Sequence, residues 1–267
     1  CYKNGRAAAE ALVSELKERG LCAEVFYCDI GDKDSIDKCV AEVRDSLGFV
    51  TLLVNNAGTA DIELFTDMTD EKLCEMMNVN LLGAMRMSRA VLPEMIREHS
   101  GNVINITSVW GEKGASCEVA YSAAKAGLIG FTKALSREVA ISGIRVNCVS
   151  CGMIDTKMNG ELTDEDVRVI VDDIPAGRIG KPRDVANVAQ RAPRRRKRPE
   201  CESIRDVCHI PSIRQTRQPT TQGITTSRGN VPAAKKALNH VVNFIFHDVI
   251  YISRSVVFTS HDVTYSL

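Results

Sequence analysis

The sequence predicts an α/β fold, a doubly wound parallel sheet of the Rossmann-like kind. Three observations predict it. Short apolar runs alternate with segments of helical period along residues 1–189, the pattern of a parallel sheet covered on both faces. The runs at 50–54, 102–107 and 145–149 are rich in Val, Ile and Leu and hold one charge, Arg145. Unusual polar residues follow these runs, at the C-terminal strand ends where such sheets hold ligands.

The elements follow in order. Residues 6–19 (RAAAEALVSELKER) place apolar side chains at helical spacing and stop at Gly20, a natural C-cap. Residues 23–28, closed by Asp29, read as a strand. Residues 34–47 are helical again, and 50–54 form a compact strand. A long helix is expected over 70–98, interrupted late by Pro93. A strand over 102–107, a helix over 119–141 and a strand over 145–149 complete the alternation.

Composition is ordinary for a globular chain, with 44% hydrophobic and 25% charged residues, which argues against disorder and rod-like assemblies. No apolar run approaches the ~18 residues of a membrane helix, and no hydrophobic leader core stands at the N-terminus. A soluble, cytoplasmic protein is expected. The formal net charge of zero is a sum of unlike parts. Residues 1–190 carry 21 basic and 29 acidic side chains, a net of −8; residues 191–267 carry 13 and 5, a net of +8. The chain is therefore divided into a domain over 1–189 and a basic segment over 190–267. The ten cysteines are scattered, and only Cys148 and Cys151 have CxxC spacing. Without a second pair or a nearby His, no metal site is expected.

The chemistry concentrates after the predicted strands. In YSAAK (121–125) a phenol and an ammonium stand four residues apart, on one helix face. A nearby cation stabilises phenolate and suits Tyr to proton transfer. That spacing is common on surface helices, so its weight comes from its company. Ser108 ends a predicted strand 13 residues earlier, Asn80 sits midway along the long helix, and NNAG (55–58) follows another strand. Together these features, with the CGMIDT loop (151–156), resemble the short-chain dehydrogenase/reductase family from residue 1 to about Ala189. One position departs from its pattern: Cys151 stands where the loop usually carries Pro.

The resemblance implies hydride transfer from a nicotinamide cofactor to a ketone. It carries over a tetrad: Tyr121 as proton donor, Lys125 lowering the phenol pKa and holding the ribose, Ser108 on the developing alkoxide, and Asn80 anchoring a relay water. It also points to Asp29 and Ile30 at the adenine, Asn56, Ala57 and Gly58 along the ribose and diphosphate, and Ile154 and Thr156 at the nicotinamide. The segment YKNGR (2–6) is basic and free of acids, which favours NADP over NAD. The family commonly forms homotetramers.

Both ends depart from the family. The expected strand and Gly-rich turn that let backbone approach the diphosphate are not found, so about 30 upstream residues and one central strand are expected to be lacking. Weak dinucleotide binding is expected in consequence. After Ala189 the sequence turns to QRAPRRRKR (190–198), which is read as having left its original reading frame; a nucleic-acid or targeting patch is the alternative. Aromatic residues are few and distant from the arginines, so nucleic-acid binding is not expected. Residues 241–246 and 249–257 are apolar enough for strands, with no role assigned.

For the substrate, residues 1–189 most resemble bacterial 3-oxoacyl-(acyl-carrier-protein) reductases, which act in fatty acid synthesis. The stretch WGEKGASCEV (110–119) is similar to a subgroup named for reducing a 5-aminopentanone modification on elongation factor P. Trp110 borders the predicted pocket, and Arg168 is the candidate contact for a carrier protein. An inactive fragment is the remaining alternative.

Overall fold

The computed structural model describes residues 1–156, 163–172, 174, 176–191 and 256–262. The basic run from residue 192 onward, the apolar segments at 241–246 and 249–255, Cys201 and Cys208 lie outside the described residues.

The described elements form one five-stranded, wholly parallel sheet. In chain order they are β1 (Tyr2–Asn4), α1 (Arg6–Glu18), α2 (Lys33–Leu47), β2 (Leu52–Asn55), α3 (Asp70–Met77), a π-helical turn (Asn78–Gly83) and α4 (Ala84–Arg97). Then come β3 (Gly101–Ser108), α5 (Trp110–Lys113), α6 (Val119–Val139), β4 (Ile144–Cys151), α7 (Asp164–Asp172), α8 (Pro182–Arg191) and β5 (Val256–Asp262). The strand order is β1-β5-β2-β3-β4.

Local chemistry sets the helix starts. Gly5 precedes α1 at φ 72°, a left-handed conformation that glycine adopts without cost. The Asp32 carboxylate accepts from the Asp34 and Ser35 amides to cap α2, and Thr69 accepts from the Lys72 amide to cap α3.

Strand alternation sorts the core into two layers. Leu53, Val103 and Val146 face one side and pack with Ile36, Cys39, Met87, Val91 and Leu135 from α2, α4 and α6. Leu52, Val54, Ile104, Ile106 and Val149 face the other and pack with Val185 and Val188 of α8. Helices thus cover both faces, as the sequence predicts.

Three expectations are corrected. The strand expected over 23–28 reduces to one parallel bridge, Tyr2 to Tyr27, because β1 beside it is only three residues long. The helix expected over 70–98 is interrupted at Asn78–Gly83, not at Pro93, which sits inside α4. The Asn80 carboxamide donates to the Met76 carbonyl at 3.1 Å, so a side chain enters the helical ladder and widens the turn. Finally, the central gap expected between β1 and β2 is closed. Strand β5 pairs in parallel with both neighbours, Leu52 opposite Val256 and Tyr2 opposite Ser260. Val256 and Val257 belong to a segment that carried no expected role.

A buried polar chain ties strands to helices on the α4/α6 face. Asn55 Nδ2 donates to Asn105 Oδ1 at 2.8 Å and to Ser88 Oγ at 3.1 Å. Asn105 Nδ2 donates to Thr132 Oγ1 at 2.8 Å, and that hydroxyl donates to the Leu128 carbonyl. Leucine at 105 would leave Asn55 and Thr132 short of a partner in the core. Asn105→Leu is therefore expected to lower unfolding free energy by about 2 kcal/mol, read from urea denaturation; an unchanged midpoint would show that the chain of bonds contributes nothing.

Candidate active site

The C-terminal ends of β3 and β4 and the start of α6 meet at one place. Ser108 is the last residue of β3 and is fully buried; its Oγ accepts from the Trp110 amide at 3.2 Å. Tyr121 and Lys125 lie four apart on α6 and are both buried, with the Lys125 Nζ 5.5 Å from the Tyr121 ring centroid.

Lys125 is held from several sides. Its Nζ donates to the Ile106 carbonyl at 3.1 Å, and its own carbonyl accepts from Thr107 Oγ1 at 3.1 Å. Gly111 lies so close that an added Cβ would stand 2.7 Å from the Lys125 carbonyl carbon, so α5 can meet α6 only through a glycine. Burial pulls the Lys125 ammonium down to about 8, with Cys151 pulling the other way.

Burial also pushes the Tyr121 phenol well above its ordinary range. The charge of Glu118 adds to the rise, Ser108 opposes it through a hydrogen bond, and Cys151 contributes a further upward push. The Lys125 ammonium itself donates to the Ile106 carbonyl and adds nothing to the balance of these effects on the phenol.

Asn80 reaches the same place from the π-helical turn. Its Nδ2 donates to the Thr59 carbonyl at 2.8 Å and its Oδ1 accepts from the Thr59 amide at 3.2 Å. A Cβ at Gly58 would stand 2.7 Å from Asn80 Oδ1 and 3.4 Å from Lys125 Nζ, so the NNAG turn closes against both. Asn56 and Ala57 are half-buried beside it.

The remaining expected cofactor positions fall at two distances from this centre. Ile154 is buried past the end of β4, bridged to Gly180, and the Thr156 hydroxyl is buried without a hydrogen-bond partner. Asp29 and Ile30 lie beyond β1. The Asp29 carboxylate pairs with Lys3 at 2.9 Å and accepts from the Gly31 amide, while Ile30 packs under Gly83. Arg168 is exposed on α7.

The buried Thr156 hydroxyl without a partner and the side-chain-free backbone at Gly58, where a Cβ would strike Asn80, fit the nicotinamide and ribose of a dinucleotide. Tyr121, Lys125, Ile154 and Thr156 are the residues available to hold that half. Among the described residues, no group of three or more His, Cys, Asp or Glu could hold a metal. Cys148 and Cys151 stand an odd number apart on β4, which sends them to opposite faces. No helix of the described residues is long and apolar enough to cross a membrane.

Sequence reasoning missed Glu118. It stands at the N-cap of α6, is 1% exposed, and neither carboxylate oxygen has a hydrogen-bond partner. An acid at a helix start normally reads as a solvated cap, so nothing in the sequence marks it.

The family model of the short chain dehydrogenases matches residues 1–167. The chain belongs to that family. It is 36% identical over 187 residues to the uncharacterized oxidoreductase YmfI of Bacillus subtilis, covering 70% of this chain and 76% of the relative. It is 40% identical over 200 residues to a 3-oxoacyl-(acyl-carrier-protein) reductase of Vibrio harveyi, covering 68% and 82%. Among solved structures it is similar to a protein assigned as a gluconate dehydrogenase from Agrobacterium tumefaciens, with TM-score 0.69 and 26% identity over 72% of this chain and 77% of that one. An oxidoreductase of this family is therefore established.

The Glu118 carboxyl has a measurable signature. Burial pushes it up to about 8. A folded-state value above the unfolded one gives stability that is full at low pH and lost as pH rises toward 8. Glu118→Gln is expected to flatten the fall in stability between pH 5 and 8 and to raise stability at pH 8 by a few kcal/mol at most. Thermal unfolding across that range checks it; parallel curves for the two proteins would place the carboxyl in water.

Proposed function

We propose that the chain reduces a ketone to a secondary alcohol at the meeting point of Ser108, Tyr121 and Lys125, with Asn80 behind them. The reading rests chiefly on one observation: a buried phenol beside a buried hydroxyl and a buried lysine, at the C-terminal strand ends where such folds bind ligands. A reduced nicotinamide, when bound, supplies the hydride. Tyr121 gives its proton to the carbonyl oxygen, where a neutral phenol is the form required. Ser108 hydrogen-bonds the alkoxide as charge develops, an interaction worth a few kcal/mol for one well-placed donor. Lys125 orients Tyr121 and holds the cofactor ribose. Asn80 holds a water that returns the proton to Tyr121.

The cofactor is NADPH in this reading, since Lys3 and Arg6 border the turn after β1 and no acid lies in residues 2–6. Asp29, Ile30, Asn56, Ala57, Gly58, Ile154 and Thr156 line its path. The site residues of this reading all lie within residues 1–189, while β5 (Val256–Asp262), from the segment 190–267, pairs in the same sheet.

The substrate reading we favour is a 3-oxoacyl thioester on acyl carrier protein, the substrate in the name of the Vibrio harveyi relative, and the proposal extends to fatty acid synthesis in the cytoplasm. A second reading is reduction of the 5-aminopentanone modification on elongation factor P. It is favoured by residues 110–119, which include the unpartnered Glu118.

Oxidation of NADPH with an acetoacetyl thioester tests the reading, at millimolar NADPH so that weak cofactor binding does not hide turnover. Tyr121→Phe is expected to lower kcat/KM on the order of 100-fold or more. A Tyr121→Phe protein as active as the parent would overturn the proton-donor role, and no ketone-dependent oxidation would overturn ketoreduction by this chain.

A further inference from the structure

Thiols gather where the start of β1 lies against α2. Cys1 precedes β1, Cys39 sits within α2, and the Cys28 amide donates to the Tyr2 carbonyl of β1 at 2.7 Å. The Cys1 and Cys39 sulfurs stand 3.4 Å apart, one donating to the other. Cys28 joins them from the other side. Its thiol donates to Cys39, which holds the Cys28 pKa high and the Cys39 pKa low.

Exposure separates the members of this cluster. Cys28 and Cys39 belong to the buried core, whereas Cys1 packs at its edge and is only half-buried. Thiol–disulfide exchange needs one thiol that a reagent can reach, and a second thiolate behind it to displace the reagent. Cys1 meets the first need and Cys39 the second. Their sulfurs must close by about 1.4 Å to reach the roughly 2.05 Å of a disulfide. The Lys3–Asp29 ion pair, at 2.9 Å, already draws β1 to the segment that follows Cys28, so a bridge here works with existing contacts.

We propose that Cys1 and Cys39 form a reversible modification site that takes a low-molecular-weight disulfide and closes into a bridge between the start of β1 and α2. The Cys1 thiolate attacks one sulfur of the reagent. A mixed disulfide forms at Cys1, and half of the reagent leaves as a thiolate. The Cys39 thiolate then attacks Cys1 Sγ, the Cys1–Cys39 bond forms, and the second half leaves. Two protons pass from the cysteines to the departing thiolates; the reagent is reduced by two electrons and the cysteine pair is oxidised by two.

Mass spectrometry of the full chain tests this. The reduced protein is incubated in native buffer with millimolar glutathione disulfide, the remaining thiols are alkylated, and the chain is cut with trypsin. Cleavage after Lys and Arg places Cys1 in residues 1–3, Cys28 in 20–33 and Cys39 in 39–44. Residues 1–3 joined to 39–44 are expected, and dithiothreitol should separate them again. Glutathione retained on Cys1 beside an alkylated Cys39, a link between 20–33 and 39–44, or a pair that stays reduced would overturn the proposal and leave the cluster as core packing.

Two further readouts tie the bridge to the fold. Because the buried Cys39 is reached through Cys1, Cys1→Ser should slow the loss of the Cys39 thiol on the order of tenfold or more. An equal rate would overturn the order of attack and with it the proposal. The bridged chain should keep the circular dichroism of the reduced chain and unfold at a higher urea concentration, since the bridge restricts the unfolded state. A lost spectrum, or an unchanged or lower midpoint, would show that the bond does not belong to this fold.

Discussion

The site depends on one constraint, the burial of the Lys125 ammonium against the end of β3. A lysine head group removed from water needs a hydrogen-bond acceptor, and the Ile106 carbonyl provides one. That bond fixes how far α6 lies along the strand. The neighbouring Thr107 hydroxyl reinforces the placement from the next residue, and Gly111 brings α5 into backbone contact with α6. Once α6 is located, Tyr121 is delivered to Ser108, and Gly58 and Asn80 close the opposite side. The same burial lowers the pKa of the Lys125 ammonium and raises that of the Tyr121 phenol.

The sheet beneath is built to hold those strand ends in register. The chain of direct bonds through Ser88, Asn55, Asn105 and Thr132 crosses two strands and two helices, and a one-residue slip of either strand would turn these amides into the opposite apolar layer. Strand β5 completes the pairing at the other side of β2, so β2 presents no bare edge along the paired residues. The basic and acidic parts of the chain, opposite in charge, therefore share one sheet. Its neutrality joins regions that differ in composition yet meet between β1 and β2.

Much of this is legible in the sequence because the signals are local. The strands at 50–54, 102–107 and 145–149 and the helix from Val119 follow from apolar runs and periodicity, and each is present within a few residues of its predicted bounds. Ser108, Tyr121 and Lys125 converge because one ends a strand and two share a helix face. What escaped depends on contacts distant in sequence. Residues 23–28 have strand-like composition but only a three-residue neighbour to pair with. The turn at Asn78–Gly83 reflects Asn80 engaging Thr59, some twenty residues away. Glu118 is invisible for the same reason: its isolation is a property of the surrounding packing, not of its neighbours in the chain.

The most direct test of this account is the ionisation of Lys125 itself, followed by NMR of its side-chain ε-methylene and Nζ signals through a pH titration of the folded protein. Burial against β3 predicts a midpoint near 8, with Thr107→Val shifting it by loosening α6. A midpoint at the ordinary lysine value of about 10.4 would show that the ammonium sits in water, and the placement of α6 and of Tyr121 beside Ser108 would have to be abandoned.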